Sequence, residues 1–345
     1  MDCYKKTGLF LCVIFMLIMQ GCVRSDLDEC PEAIRYSVAF KYTLHTEGTD
    51  RFYDDVDKMY IYVFDAGTDT CVYADTATML APFGNDYTYP LPLNVGRYNI
   101  ITWGWGRNTG DLSLKRNSAV IPVIVPKETT IDEARLLLEE KMIDGRLEKT
   151  FYGELRNVDV PAFISRVDTM PLLNLTNQIR VVIPDAKTAA VQDRISVFIT
   201  GDNGAYHFES GDNAPDVDGV RGAVTYLPHI SYRTDSILLA DPIYTAESYA
   251  GTGRDSMLIV EISTLRLVQF DANMKLCLDL GNTVIQLSLL EILQSGIFSN
   301  IQYNLDKYDR WQISYNYRST STTVHVYVMD WHVVYIPTNV GGIMQ

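Results

Sequence analysis

The sequence predicts an all-β protein built of two tandem β-sandwich domains. Three observations lead there. Short runs alternate apolar and polar residues with the period of a strand, and turn-forming residues interrupt them about every ten positions. Tyrosine is frequent, 22 residues against 12 Phe, and aromatic and β-branched side chains fill the runs. Helical periodicity is scarce, while 345 residues exceed a single domain of about 150.

Taken in order, Tyr36, Val38, Phe40, Tyr42 and Leu44 share one face of a first strand. Met59–Asp65 carries apolar side chains on both faces, which marks a central strand. A turn at 66–69 leads to a strand opening at Cys71. Residues 87–93 hold Pro90 and Pro92, so a strand there is an edge strand or broken. Arg97–Trp103 and the apolar run 119–125 follow. Between Thr130 and Gly145 the sequence leaves helix and strand open: Thr130 and Glu133 have capping-box spacing, but the surroundings are β. The stretch 147–170, with Pro161 inside and Pro171 behind it, reads as the join, placed near residue 165. Beyond it come strands at 175–183, 194–200, 257–268 and 275–280, then a helical turn at 288–294 with Ser288 as its cap. Alternation on Trp311, Ile313 and Tyr315, on Val324, Val326 and Val328, and on Trp331, Val333 and Tyr335 closes the chain.

The N-terminus reads as an export signal. Lys5 and Lys6 precede an apolar run from Leu9 to Met19, too short for a membrane-spanning helix of about 20 residues. The run ends at Gly21-Cys22, which resembles a bacterial lipobox, with Cys22 as the lipidated residue. Asp26, Asp28 and Glu29 follow and resemble a surface-export signal; as a plain solvated tether they read equally well. The expected organisation is therefore a signal peptide (1–21), a lipidated acidic tether (22–33), one sandwich (34–165) and a second (166–345). Three further thiols remain behind the signal: Cys30, Cys71 and Cys277. At most one pair can form. Cys30 with Cys71 is the favoured pair, because both lie in or beside the first domain; the alternative is three free, partly buried thiols.

Little in the sequence suggests an enzyme. The five His form no zinc-binding pattern, and the Cys lack metal-ligand spacing. No G-x-S-x-G elbow occurs. Gly104, Gly106 and Gly110 are spaced one residue too far for a dinucleotide fingerprint, and read as a Gly/Trp-rich loop. Asp202, Asn203, Asp212, Asn213, Asp216 and Asp218 crowd one segment, but Ala214 and Thr225 occupy positions where a calcium loop needs ligands. No metal and no cofactor is expected. A net charge of −14 repels nucleic acid.

Several segments then gain meaning together. Cys22 with its acidic stretch, Cys30-Pro31, Met59–Asp65 (MYIYVFD), Asn94–Trp103 (NVGRYNIITW), Phe151–Leu155 (FYGEL), Tyr308-Asp309-Arg310 and Met329–Val334 (MDWHVV) resemble, in order and spacing, the fimbrial-anchor (FimB-like) family of Bacteroidetes lipoproteins. The resemblance covers nearly all of the chain behind the signal. It implies two transthyretin-like sandwiches and a position at the base of a fimbrium. It also implies a lipid on Cys22 holding the protein in the outer membrane, with shaft assembly started or limited through strand exchange. The implied partners are shaft subunits, bound by β-strand addition, and outer-membrane lipid. Gly67 and Cys71 after the VFD strand, and a long 201–222 loop, depart from the family pattern. Two other readings stand beside it. A tip or shaft adhesin would lose its N-terminal segment, with Arg35 as a cleavage site. A surface glycan-binding lipoprotein would use an aromatic platform, for which Trp105 is the exposed candidate among the four Trp.

Overall fold

The computed structural model describes residues 36–78, 87–107, 116–117, 119–121, 123–138, 140–162, 165–183, 195–206, 223–234, 257–269, 271–279, 284–294, 301–316, 323–328 and 331–335. In chain order the strands are β1 (Tyr36–Lys41), β2 (Val56–Asp65), β3 (Cys71–Thr78), β4 (Thr88–Leu91), β5 (Gly96–Gly106), β6 (Arg116–Asn117), β7 (Ala119–Val120), β8 (Leu136–Leu138), β9 (Met142–Ile143), β10 (Arg146–Leu147), β11 (Thr150–Val160) and β12 (Arg166–Asn174). They continue as β13 (Thr176–Ile183), β14 (Ser196–Gly201), β15 (Ala205–Tyr206), β16 (Val224–Tyr226), β17 (Ile230–Thr234), β18 (Met257–Leu265), β19 (Lys275–Asp279), β20 (Val284–Ser288), β21 (Arg310–Asn316), β22 (Thr323–Val328) and β23 (Trp331–Tyr335). The helices are short: α1 (Phe52–Asp55), α2 (Leu289–Gln294) and α3 (Ile301–Lys307). The chain is all-β, as its alternation predicts.

Seven strands form one sheet in the order β3-β2-β5-β11-β12-β1-β4. It does not lie flat. β12 pairs in parallel with β1 over Arg166–Pro171, then antiparallel with β11 over Leu172–Gly153 and its neighbours. β12 is therefore a corner strand, and Pro171, which lacks an N–H, stands where the ladder changes partner. The folded sheet wraps one core. Tyr36, Val38 and Phe40 enter it from β1, Met59, Ile61 and Val63 from β2, Tyr89 and Leu91 from β4, and Met170 and Leu172 from β12. β2 is buried on both faces, because Tyr62 and Phe64 join a second cluster on the outer side. Burial on both faces is what a central strand with apolar residues at every position requires.

The second half is a sandwich. A six-stranded sheet, β17-β18-β13-β21-β22-β23, faces a five-stranded sheet, β20-β19-β14-β16-β9. Ile179, Val181, Val260, Ile262 and Ile313 from the first meet Val197, Ile199, Tyr226, Leu276 and Leu278 from the second. α2 closes this core with Leu289, Leu290, Ile292 and Leu293. Ser288 caps α2 through its hydroxyl, which accepts the Glu291 N–H at 3.3 Å, as the spacing predicts.

The chain leaves the seven-stranded sheet at Leu175, so residues 166–174, which a join near residue 165 gives to the second half, pair within the first sheet. The segment between 119 and 147 serves both halves. β8 pairs with β7 and β15, and β9 pairs in parallel with β16. The open question at 130–145 has a mixed answer. Thr130 and Glu133 do form the capping contact, at 2.7 and 3.0 Å, but it starts a single 3-10 turn, Ile131–Glu133. The chain then extends into β8 and β9, because Leu136 is needed in the outer cluster and Ile143 in the second core.

Candidate functional site

The described chain enters the seven-stranded sheet at a defined end. Tyr36 opens β1 and pairs with Leu91 and Arg166. Gly96, Val160 and the 66–69 turn lie at the same end, because β5 and β11 pair there as Val160↔Gly96 and β2 meets β5 at Asp65↔Tyr98. The other end carries Gly106, Thr150 and Leu175, whose N–H donates to the Thr150 carbonyl at 2.7 Å. The second half docks at that other end. Tyr206 meets Tyr152 and Trp103 with ring centroids 5.0 and 5.8 Å apart. Arg266 donates to the Tyr206 hydroxyl at 2.9 Å and to both carboxylate oxygens of Asp306 at 2.7 and 2.9 Å. Tyr36 and the junction to the second half thus lie at opposite ends of the seven-stranded sheet. Cys22, Asp26, Asp28, Glu29 and Cys30, together with Arg35, lie outside the described residues.

An open cleft of about 520 Å³ marks the Tyr36 end, lined by Gly67, Val95, Arg97, Asn157, Asp159 and Val160 among others. Val95 is 66% exposed at its rim, and Arg97 pairs with Asp159 at 2.9 Å. Both partners of that pair are well exposed, so it adds little stability.

The edges of the seven-stranded sheet differ in chemistry. β4 pairs with β1 so that Pro90 stands opposite Ser37. Alternate residues of an antiparallel strand turn their backbone groups toward or away from the neighbour. Pro90 has no N–H to give, so it leaves this edge strand one donor short. β3 is the opposite edge. Its start is covered: the Cys71 N–H donates to Thr129 O at 2.9 Å, and the Lys127 N–H donates to Cys71 O at 2.7 Å. Farther along, β3 and β4 meet through side chains. Tyr73 donates to Asp75 at 3.0 Å, the Tyr73 and Tyr89 hydroxyls are 3.1 Å apart, and Tyr89 also donates to Asp75. The Tyr89 hydroxyl holds the Asp75 carboxyl below the usual carboxylate range. Burial, reinforced by Asp75, pushes the Tyr89 phenol up. A carboxylate on the core-facing side of an edge strand disfavours an incoming strand.

The remaining sequence candidates take definite places. Cys71 is fully buried, its thiol donating to the Tyr73 carbonyl at 3.3 Å, and burial raises its pKa. Trp105 is half-buried rather than exposed, with its ring edge-on to Tyr60 at 5.0 Å. Gly104 and Gly106 end β5 and are not in a loop. A Cβ on Gly106 would sit 2.8 Å from the Lys149 Cβ, so strand contact explains that glycine. Asn203 is a buried cross-brace. Its amide donates to Leu265 O and Arg266 O at 3.1 and 3.0 Å, and its oxygen accepts the Tyr226 hydroxyl at 2.8 Å. Asp212, Asn213, Asp216 and Asp218 lie outside the described residues. Among the described residues no group of three or more His, Cys, Asp or Glu is placed to hold a metal, and no helix is long and apolar enough to cross a membrane. Sequence reasoning missed the Tyr73–Asp75–Tyr89 seam and His229. Only the fold brings β3 and β4 together, and only the fold buries the Nδ1 of His229.

Residues 27–337 match the family of fimbrillin-A associated anchor proteins Mfa1 and Mfa2. No curated protein matches the sequence. Several solved structures share the fold. A candidate polysaccharide-binding protein of Bacteroides thetaiotaomicron superposes with a TM-score of 0.64 at 19% identity, over 88% of this chain and 98% of that one. A candidate adhesin of the same organism gives 0.62 at 21% identity, over 86% and 96%. The fimbrial anchor protein Mfa2 of Porphyromonas gingivalis gives 0.57 at 16% identity, over 87% and 99%. At these identities the likeness is one of fold.

Proposed function

Because the chain belongs to the family of fimbrillin-A associated anchor proteins, it is a fimbrial anchor or adhesin subunit, and we propose that it is the anchor. In this reading the signal is removed, Cys22 carries lipid in the outer membrane, and Asp26, Asp28 and Glu29 direct the protein to the cell surface. The first sandwich ends at Leu175 and stands next to the membrane; the second half is distal and meets the shaft. Shaft subunits are taken by β-strand addition, in which ladder hydrogen bonds give affinity and alternating side-chain pockets give specificity.

The observation that carries this reading is the end at which the chain enters the first sandwich. The chain enters the sandwich at Tyr36, at the end opposite the one where Arg266, Tyr206 and Leu175 join the halves. A lipid at Cys22 would therefore leave the second half pointing away from the membrane. The two edges of the seven-stranded sheet support a limiting role. One is short of a donor at Pro90, and the other is guarded by Asp75, so the first sandwich is a poor template for further strands.

The test is Cys22→Ala in the native cell. The protein should leave the membrane fraction, and fimbriae should be shed or grow abnormally long. Normal fimbriae retained on cells carrying the variant would overturn the anchor reading in favour of a tip or shaft subunit.

A further inference from the structure

An anchor bears tension, and the first sandwich is wired for it in an unusual way. Strands β2, β3, β5 and β11 pair with their neighbours antiparallel, and so does β4. β1 and β12 are instead parallel, in register from Tyr36↔Arg166 to Lys41↔Pro171. The tether enters at the N-terminal end of β1. The chain leaves for the second half from the C-terminal end of β12, at Asn174 and Leu175. In a parallel pair these are opposite ends.

We infer that β1 and β12 form a shear clamp, the element that carries load between the N-terminal tether and the second half. The direction of load rests on the anchor reading above. Pulling two strands from opposite ends makes them slide, so that every ladder bond is strained at once. Pulling from the same end opens the bonds one at a time, each worth only about 1 kcal/mol. β1 is held on its other side as well, by β4 over Tyr36↔Leu91 to Ala39↔Thr88. Sliding β1 would also drag Tyr36, Val38 and Phe40, each at most 2% exposed, through the core. The loaded end carries a stitch: the Tyr36 hydroxyl donates to Asp168 at 2.8 Å, and Arg166 holds the other oxygen of that carboxylate at 2.8 Å. This bonds β1 to β12 by side chains where force first arrives.

The test is single-molecule force spectroscopy on the chain from Cys22 to Gln345, unlipidated and carrying Cys30→Ser. One handle is Cys22. The other is Tyr232→Cys, at a side chain that is 41% exposed in the second half. Unfolding of the first sandwich is recognised by a contour-length gain of about 45–50 nm, from residues 36–174 at about 3.6 Å each. The comparison replaces the Cys22 handle, with Cys22→Ser, by Glu47→Cys. Its side chain is 61% exposed, it lies beyond the other end of β1, and the path from there bypasses the clamp. Tether pulling should need at least about twice the force of the bypass geometry, because unfolding under force is governed by the barrier. Tyr36→Phe should lower the first force and leave the second unchanged. Equal forces in the two geometries, or a Tyr36→Phe effect of the same size in both, would overturn the clamp. Because no lipid is present, that result leaves the anchor reading to the Cys22→Ala experiment.

Discussion

Asn203 shows how a residue that reads in sequence as part of a polar loop acts as a brace in the fold. Asn203→Ala deletes two donated bonds, to Leu265 O and Arg266 O, and the bond accepted from Tyr226. Asn203 is only 3% exposed and Tyr226 is fully buried, so water does not readily replace what is lost. Each buried hydrogen bond contributes about 1 kcal/mol, and a partner left unsatisfied costs about 1–3 kcal/mol. The Tyr226 hydroxyl keeps a contact to the Leu265 N–H at 3.4 Å, which softens one of the three losses. The net cost is about 2–4 kcal/mol, confined to the second half. With a urea slope near 2 kcal/mol/M, the midpoint should fall by about 1–2 M. The assay is urea unfolding followed by probes in each half, since a chain with two cores need not unfold in one step. A shift below about 0.3 M would refute the bracing argument. So would recovery of stability on adding calcium, which would make the segment a cation site rather than a brace.

Two further outcomes follow from burial and from the sheet edge. His229 has its Nδ1 buried without a partner, and burial lowers its pKa to about 4. Its folded pKa lies below the unfolded value of about 6.5, so stability is complete above pH 6.5 and is lost as pH falls toward 4. The loss is about 1–2 kcal/mol once solvent screening of this part-exposed ring is allowed for. Denaturation at stepped pH should show that slope, and His229→Gln should flatten it. Replacing Pro90 by Thr restores a donor on β4, and the variant should self-associate during size-exclusion chromatography at concentrations where the parent stays monodisperse. An unchanged elution profile would remove the argument for a blocked edge.

Much of this fold was legible because a strand's side-chain period is local. The alternation of Tyr36, Val38 and Phe40 predicted an inward face, and these residues are core. Apolar residues on both faces of Met59–Asp65 predicted a central strand, and β2 lies between β3 and β5. Pro90 and Pro92 predicted an edge strand, and β4 is one. Partners were not legible, because pairing depends on contacts far apart in sequence. Nothing near Tyr36 announces a parallel neighbour 130 residues away at Arg166. Nothing in Leu136–Leu138 announces Ala205 and Tyr206. The same gap explains the site. Tyr73, Asp75 and Tyr89 are ordinary strand residues until the sheet folds back and closes a seam. Trp105 looked exposed beside glycines, but those glycines serve strand contact and the ring rests against Tyr60.

The anchor reading requires that β1 and the tether stay on the protein after export. Mass spectrometry of the chain recovered from the cell surface tests this most directly. The expected N-terminal residue is Cys22 carrying diacylglycerol, continuous through Tyr36 into β1. A mature chain beginning beyond Arg35, or one that keeps residues 1–21, would contradict it.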